Sequence, residues 1–96
     1  MNFLFHPEAE TEFIAAIDWY EDRSSGLGAD FAVEIHGAIQ RAVTLPLAWP
    51  LIDGDIRRVL ANRFPYGVLY ALDNGSIYIL AVMHLRRRPD YWRSRS

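Results

Sequence analysis

The side chains best able to do chemistry lie together near the C-terminus, in the stretch AVMHLRRRPDYWRSRS, residues 81–96. An apolar run there ends in His84 and opens into Arg86, Arg87, Arg88, Arg93 and Arg95, with Tyr91 and Trp92 set among them. Guanidinium groups grip phosphate or carboxylate with two parallel hydrogen bonds and lie flat on aromatic rings. Aromatic side chains in turn stack nucleic-acid bases, at about 1–3 kcal/mol per base. This mixture therefore suits an anionic partner, nucleic acid included. His84 is the one side chain here whose ordinary pKa lets it exchange a proton near neutrality without a large shift. A second basic group, Arg57, Arg58 and Arg63, precedes Tyr66 in mid-chain. Neighbours on a strand point to opposite faces, so Arg57 and Arg58 cannot line one groove unless a bulge intervenes. Trp92 and Tyr91 also have a structural alternative: with Pro89 turning the chain, they could fold back and cap the core. Both roles can coexist, because a packed tryptophan positions the arginines beside it.

Familiar enzyme patterns are missing. His6, His36 and His84 are not at metal-ligand spacing, no glycine-rich phosphate loop follows a strand, and no serine sits in a nucleophile elbow. Cysteine is absent, which removes disulfides and thiolate chemistry. Neither a metal nor a cofactor is expected. Glu8, Glu10 and Glu12 are explained by the positive end of a helix rather than by acid–base work. His36, beside Glu34 within a helix, is expected to be an ordinary exposed or half-buried histidine.

These groups need a scaffold, and 96 residues with 51% hydrophobic content give one domain with a modest core. Asn2-Phe3-Leu4-Phe5 predicts a short first strand. Pro7 and the acids after it predict a helix start, and Ala9, Phe13, Ile17 and Tyr20 fall on one helical face. The break at residues 24–28 precedes a second helix from about Ala29 to just before Pro46, burying Phe31, Ile35, Ala38, Ile39 and Ala42. Residues 47–54 predict a loop between Pro46 and Gly54. Strands follow over 56–60, 66–72 and 77–84. Asn74-Gly75 marks a type I′ hairpin turn, which would pair Leu72 with Ile77, Tyr70 with Ile79 and Val68 with Ala81. Apolar on both faces, the run 77–82 predicts a central strand. The expected class is α+β: an N-terminal strand and a helical hairpin packed on one face of a small, twisted, mainly antiparallel sheet.

The net charge of −2 conceals a division. Residues 1–53 carry nine acids against two arginines, and residues 54–96 carry eight arginines against three aspartates. This division suggests a basic face made by the second half, the alternative being two solvated faces of opposite sign. All ten basic residues are arginine. No apolar run approaches the ~20 residues of a membrane span, and the first residues lack the basic-then-apolar pattern of a secretory leader. The cytoplasm is the expected address, with no membrane partner.

Three segments, AIDWYEDRSSGLGADFAVEI, WPLIDGDIRRVLANRFPYGVLYAL and ILAVMHLRRRPDYW, taken in order, resemble the RelE/ParE superfamily of type II toxin–antitoxin toxins, often labelled plasmid stabilisation proteins. The resemblance implies a toxin neutralised by a cognate antitoxin in a hetero-oligomer. It also implies one of two targets. RelE-like members cleave mRNA on the ribosome without metal, and ParE-like members inhibit DNA gyrase. For the ribonuclease, the resemblance assigns phosphate binding to Arg63, Arg86 and Arg87, with Arg58 in the segment that carries basic groups. Tyr91 or His84 would then remove the 2′-hydroxyl proton. Ribonuclease members commonly have a basic residue where this chain has Gly67, and Val82-Met83-His84 is closer to the ParE-like ending. The gyrase inhibitor is thus the expected branch and the ribonuclease its alternative. In the former, Arg58, Arg63, Arg86, Arg87, Arg88 and Trp92 form a target-binding surface and His84 is structural. A module that only binds its antitoxin is a third possibility, and it predicts no effect on growth.

Overall fold

The computed structural model describes residues 2–95. Strand β1 (Phe3–Phe5) leads into helices α1 (Pro7–Arg23) and α2 (Leu27–Thr44). Strands β2 (Leu51–Asp53), β3 (Ile56–Leu60), β4 (Tyr66–Asp73) and β5 (Ser76–His84) follow, and the 3-10 turn Arg93–Arg95 closes the tail. The five strands form one sheet in the order β1-β5-β4-β3-β2. The β1–β5 pair is parallel and the other pairs are antiparallel. The expected α+β class holds, with both helices burying their apolar faces on the same side of the sheet.

The helical hairpin follows from local chemistry. His6 Nδ1 accepts the Glu8 N–H at 3.1 Å, Pro7 opens α1, and Glu8 and Glu10 occupy its first turn. Gly26, at φ 87°, turns the chain. The Glu21 carboxylate then reaches across from α1 to accept the N–H groups of Gly26 and Gly28 at 2.9 and 3.0 Å. Those donors have no partner within α2 itself, so Glu21 supplies the missing cap and α2 begins at Leu27 rather than near Ala29. Gly28 is needed at the contact between the helices: a Cβ there would stand 2.6 Å from the Ile17 carbonyl oxygen.

The β4–β5 turn has Asn74 and Gly75 at φ 50° and 80°, both positive as a type I′ turn requires. Leu72 pairs with Ile77 and Tyr70 with Ile79, as the turn predicts, but Val68 pairs with Val82 rather than Ala81. Leu80 is an extra residue on β5, a bulge that shifts the register by one. Its consequence is a change of phase. Ile77, Ile79 and Val82 join the core under the helices, while Leu80, Ala81 and Met83 face the other way. A run apolar on both faces hides such a shift from the sequence.

The segment expected as a loop contains β2, a three-residue edge strand with irregular pairing to β3. Its approach is fastened by long side chains. Tyr70 Oη donates to the Pro46 carbonyl at 2.6 Å, Trp49 Nε1 to Arg41 at 3.0 Å, and Arg57 Nη1 to Leu47 and Trp49 at 3.2 and 2.6 Å. On the sheet face away from the helices, Ile56, Leu69, Leu80, Ala81 and Met83 form a second cluster closed by Trp92, which is 3% exposed.

Gly28→Ala is expected to destabilise the fold by about 1–3 kcal/mol, because a methyl group forced onto a backbone oxygen overpacks the helix contact. Gly37→Ala, where the nearest atom is the flexible Arg41 Nη1 at 3.7 Å, is expected to stabilise α2 by about 0.5–1 kcal/mol. Urea midpoints of the two variants check both signs.

Candidate functional site

Strand β5 loses its neighbour halfway along. Phe5 pairs with Ile79, the His6 N–H donates to the Ile79 carbonyl at 2.8 Å, and β1 ends there. Beyond that point two side chains take the place of a strand. Glu12 Oε1, from α1, accepts the Val82 N–H at 3.2 Å, and Arg95 Nη1, from the tail, donates to the Leu80 carbonyl at 3.1 Å. The two are joined fork to fork, Nη1–Oε1 at 2.7 Å and Nη2–Oε2 at 3.0 Å, and Arg95 Nε reaches Glu8 at 3.1 Å. Tyr91 Oη donates to Glu12 Oε2 at 2.5 Å. The Arg95 and Glu12 side chains are only 8% and 14% exposed.

This environment changes the acidity of its members. Burial, then the hydrogen bond to Glu12 and its negative charge, push the Tyr91 hydroxyl well above the ordinary tyrosine value. The Glu12 hydrogen bond likewise raises Arg95. Tyr91 is thus held as a neutral donor. The Arg87 guanidinium lies 3.9 Å from the centre of its ring and that of Arg95 4.9 Å.

Beside this clamp a groove of about 510 Å³ runs between α1 and the end of the β4–β5 pair. Thr11, Ala15 and Trp19 give one wall, and Tyr66, His84 and Arg87 the other. Trp19 is half exposed, with the Arg23 guanidinium 3.9 Å over its ring. The Leu80 bulge brings His84 here: with Val82 rephased toward the helices, the residue two positions on follows it. His84 Nδ1 accepts the Arg86 N–H at 3.0 Å, and its ring meets Tyr66 edge-on at 5.1 Å.

The residues singled out in the sequence therefore do not form one cluster. His84, Arg87 and Tyr91 come together around the groove and clamp. Arg86 is exposed, and Arg88 pairs with Asp90 at 3.1 Å on the surface. Arg63 pairs with Asp30 of α2 at 3.1 Å, and no contact joins it to Arg86 or Arg87 among the described residues. Arg58 lies on the far face with its methylenes over Gly67. Trp92 is buried, donating Nε1 to the Pro89 carbonyl at 2.8 Å. Among the described residues no group of three His, Asp or Glu side chains could hold a metal ion, and no helix is long and apolar enough to cross a membrane.

Glu12, Arg95 and Trp19 are the residues whose importance the sequence concealed. Reading Glu12 as one of several first-turn acids is corrected by its contacts. It stands beyond the first turn, where the dipole effect fades, and at helical spacing from buried Ala9 and Ala16. That spacing is the signal by which it could have been found. Chemically, the site offers cationic edges beside an aromatic and aliphatic groove, on a tail locked to the body.

Comparison with known proteins agrees with this fold. The family model described as ParE toxin of type II toxin-antitoxin system, parDE, matches residues 3–89, ending just before Tyr91. A chain of the chromosomal ParDE TA system from P. aeruginosa superposes with a TM-score of 0.61 at 18% identity, over 88% of this chain and 95% of that one. At that identity the likeness is one of fold. No curated protein matches the sequence.

Glu12→Gln is expected to cost about 3 kcal/mol, toward the lower end for breaking a buried ion pair because Arg95 keeps Glu8, with Arg95→Gln in the same chain recovering part of the loss. Urea unfolding of the single and double variants checks this. A second expectation concerns alkaline pH. Unfolded Tyr91 ionises near 10 whereas folded Tyr91 stays protonated, so the unfolded state binds fewer protons. Stability should be full below about pH 10 and fall as pH rises toward the folded value, and Tyr91→Phe should make that fall shallower. Urea midpoints across that range measure it.

Proposed function

Because the chain belongs to the ParE toxin family of type II toxin–antitoxin systems, we propose that it arrests growth by inhibiting DNA gyrase in the cytoplasm when no antitoxin holds it. The family implies the antitoxin partner. In this reading residues 1–96 act as one toxin domain, and the groove edge with Arg86 and Arg87 is the surface that meets gyrase.

What supports gyrase over mRNA is the state of the Tyr91 hydroxyl. A ribonuclease needs a group free to take the 2′-hydroxyl proton, with a pKa near the working pH. Tyr91 Oη donates to Glu12 at 2.5 Å and is pushed further from neutrality. His84 has its Nδ1 engaged by the Arg86 N–H. The cationic side chains that would stabilise a pentavalent phosphate are dispersed: Arg63 is on Asp30, Arg58 on the far face, and Gly67 has no side chain to offer. Arginines bordering an aromatic groove instead match what protein interfaces favour.

The test combines a supercoiling assay on purified gyrase with mapping of mRNA 3′ ends in cells expressing the chain without antitoxin. The expected result is lost supercoiling or trapped cleaved DNA, intact mRNA, and inhibition weakened about tenfold or more by Arg87→Ala. Unchanged supercoiling at excess toxin, together with ribosome-phased cuts ending in cyclic phosphate, would instead establish the ribonuclease.

A further inference from the structure

On the opposite edge of the sheet, where β2 stops covering β3, lies a pocket of about 360 Å³ that the groove and clamp do not share. Arg41, Trp49, Pro50, Arg58, Leu60 and Asn62 line it. Two of these residues are arginines, and neither pairs with a carboxylate among the described residues. By contrast Arg63, Arg88, Arg93 and Arg95 each pair with an acid.

Arg41 is held in place, and the methylenes of Arg58 rest on the sheet. Arg41 Nη2 donates to the Leu60 carbonyl at 2.8 Å, while its own carbonyl accepts Trp49 Nε1 and so orients the indole beside it. The Cγ and Cδ of Arg58 rest 3.2 and 3.1 Å from where a Gly67 Cβ would stand. Gly67 is thus the bed that lets this arginine lie flat across the sheet, and any side chain there would lift it. Two backbone groups of this edge are already engaged. The Arg58 N–H donates to the Pro50 carbonyl at 3.1 Å, and the Leu60 carbonyl already has Arg41.

From this arrangement we infer that the pocket takes the carboxylate of an Asp or Glu in an acidic peptide segment. Flanking aliphatic residues would lie on Pro50, Trp49 and the half-exposed Leu60. A guanidinium fork suits the two oxygens of a carboxylate, and two arginines border this pocket. A nucleic-acid backbone fits less well, because the Asn62–Arg63 side of the pocket is acidic. Glu34 Oε1 accepts both N–H groups there at 3.0 and 2.8 Å, and Asp30 stands on Arg63. A run of phosphates would have to pass these carboxylates, whereas a single acid need not. Equating the peptide with an antitoxin segment rests on the toxin reading above. The carboxylate site itself does not.

The experiment is a titration of the isotope-labelled full chain, following the arginine Nε–Hε signals, with the blocked tripeptide Leu-Glu-Leu. Leu-Gln-Leu and a short oligothymidylate serve as competing probes. The expected result is saturable movement of the Arg41 and Arg58 signals alone, with a Kd on the order of 1 mM for so small a probe. The Gln peptide should leave them still, and Arg58→Gln should weaken binding about tenfold. Equal drift of all arginine signals, or none, would overturn the site. Tighter binding of the oligonucleotide at Arg41 and Arg58 would overturn the choice of ligand. Since the titration involves no gyrase, its failure would leave the toxin reading intact, and a failed supercoiling assay would leave the titration standing.

Discussion

A strand that outruns its neighbour needs partners for its free peptide groups, and here a single carboxylate organises them. Glu12 accepts the Val82 N–H, binds Arg95 through both oxygens, and receives the Tyr91 hydroxyl. An unpaired ion this deep would be costly, and so would an unpaired peptide group. Meeting both needs with one set of bonds joins helix, strand and tail into a unit. Trp92 fixes the same tail from the other side by covering the second apolar cluster. The basic C-terminus is therefore a packed element of the fold, which presents Arg86 and Arg87 from a fixed position.

The far edge of the sheet uses the same device. There Arg41 reaches from α2 to the Leu60 carbonyl, and Pro50 receives the Arg58 N–H. Open strand edges invite pairing with other chains, and long side chains turned onto them close that route. The difference between the two edges is in their counter-ions. Arg95 is fully engaged by Glu12 and Glu8, whereas Arg41 and Arg58 face a pocket without an acid. One edge is closed by ion pairs, and the other is bordered by two arginines that have none.

Between them the Leu80 bulge decides which side chains belong to which surface. Without the extra residue, His84 would share a face with Leu80 and point away from the helices. With it, His84 meets Tyr66 beside α1 and borders the groove. A one-residue slip moves every later side chain to the other face, so this irregularity matters more to the site than any single substitution of similar chemistry.

Much was legible in the sequence because it is governed by neighbours. Helical spacing gave the buried faces of both helices, Asn74-Gly75 gave the hairpin and its first two pairs, and the two-sided apolar run gave a central strand. The α+β class and the family resemblance followed from their order. The tertiary structure decided the rest. Glu12 meets Val82, Tyr91 and Arg95 across 70, 79 and 83 residues, separations at which no periodicity or turn signal operates. β2 is too short and too hemmed by prolines to carry a pattern, and the bulge is silent where both faces are apolar. Local propensity fixes which face a residue shows. Only folding brings a distant partner to that face, and with it the difference between a solvated charge and a buried one.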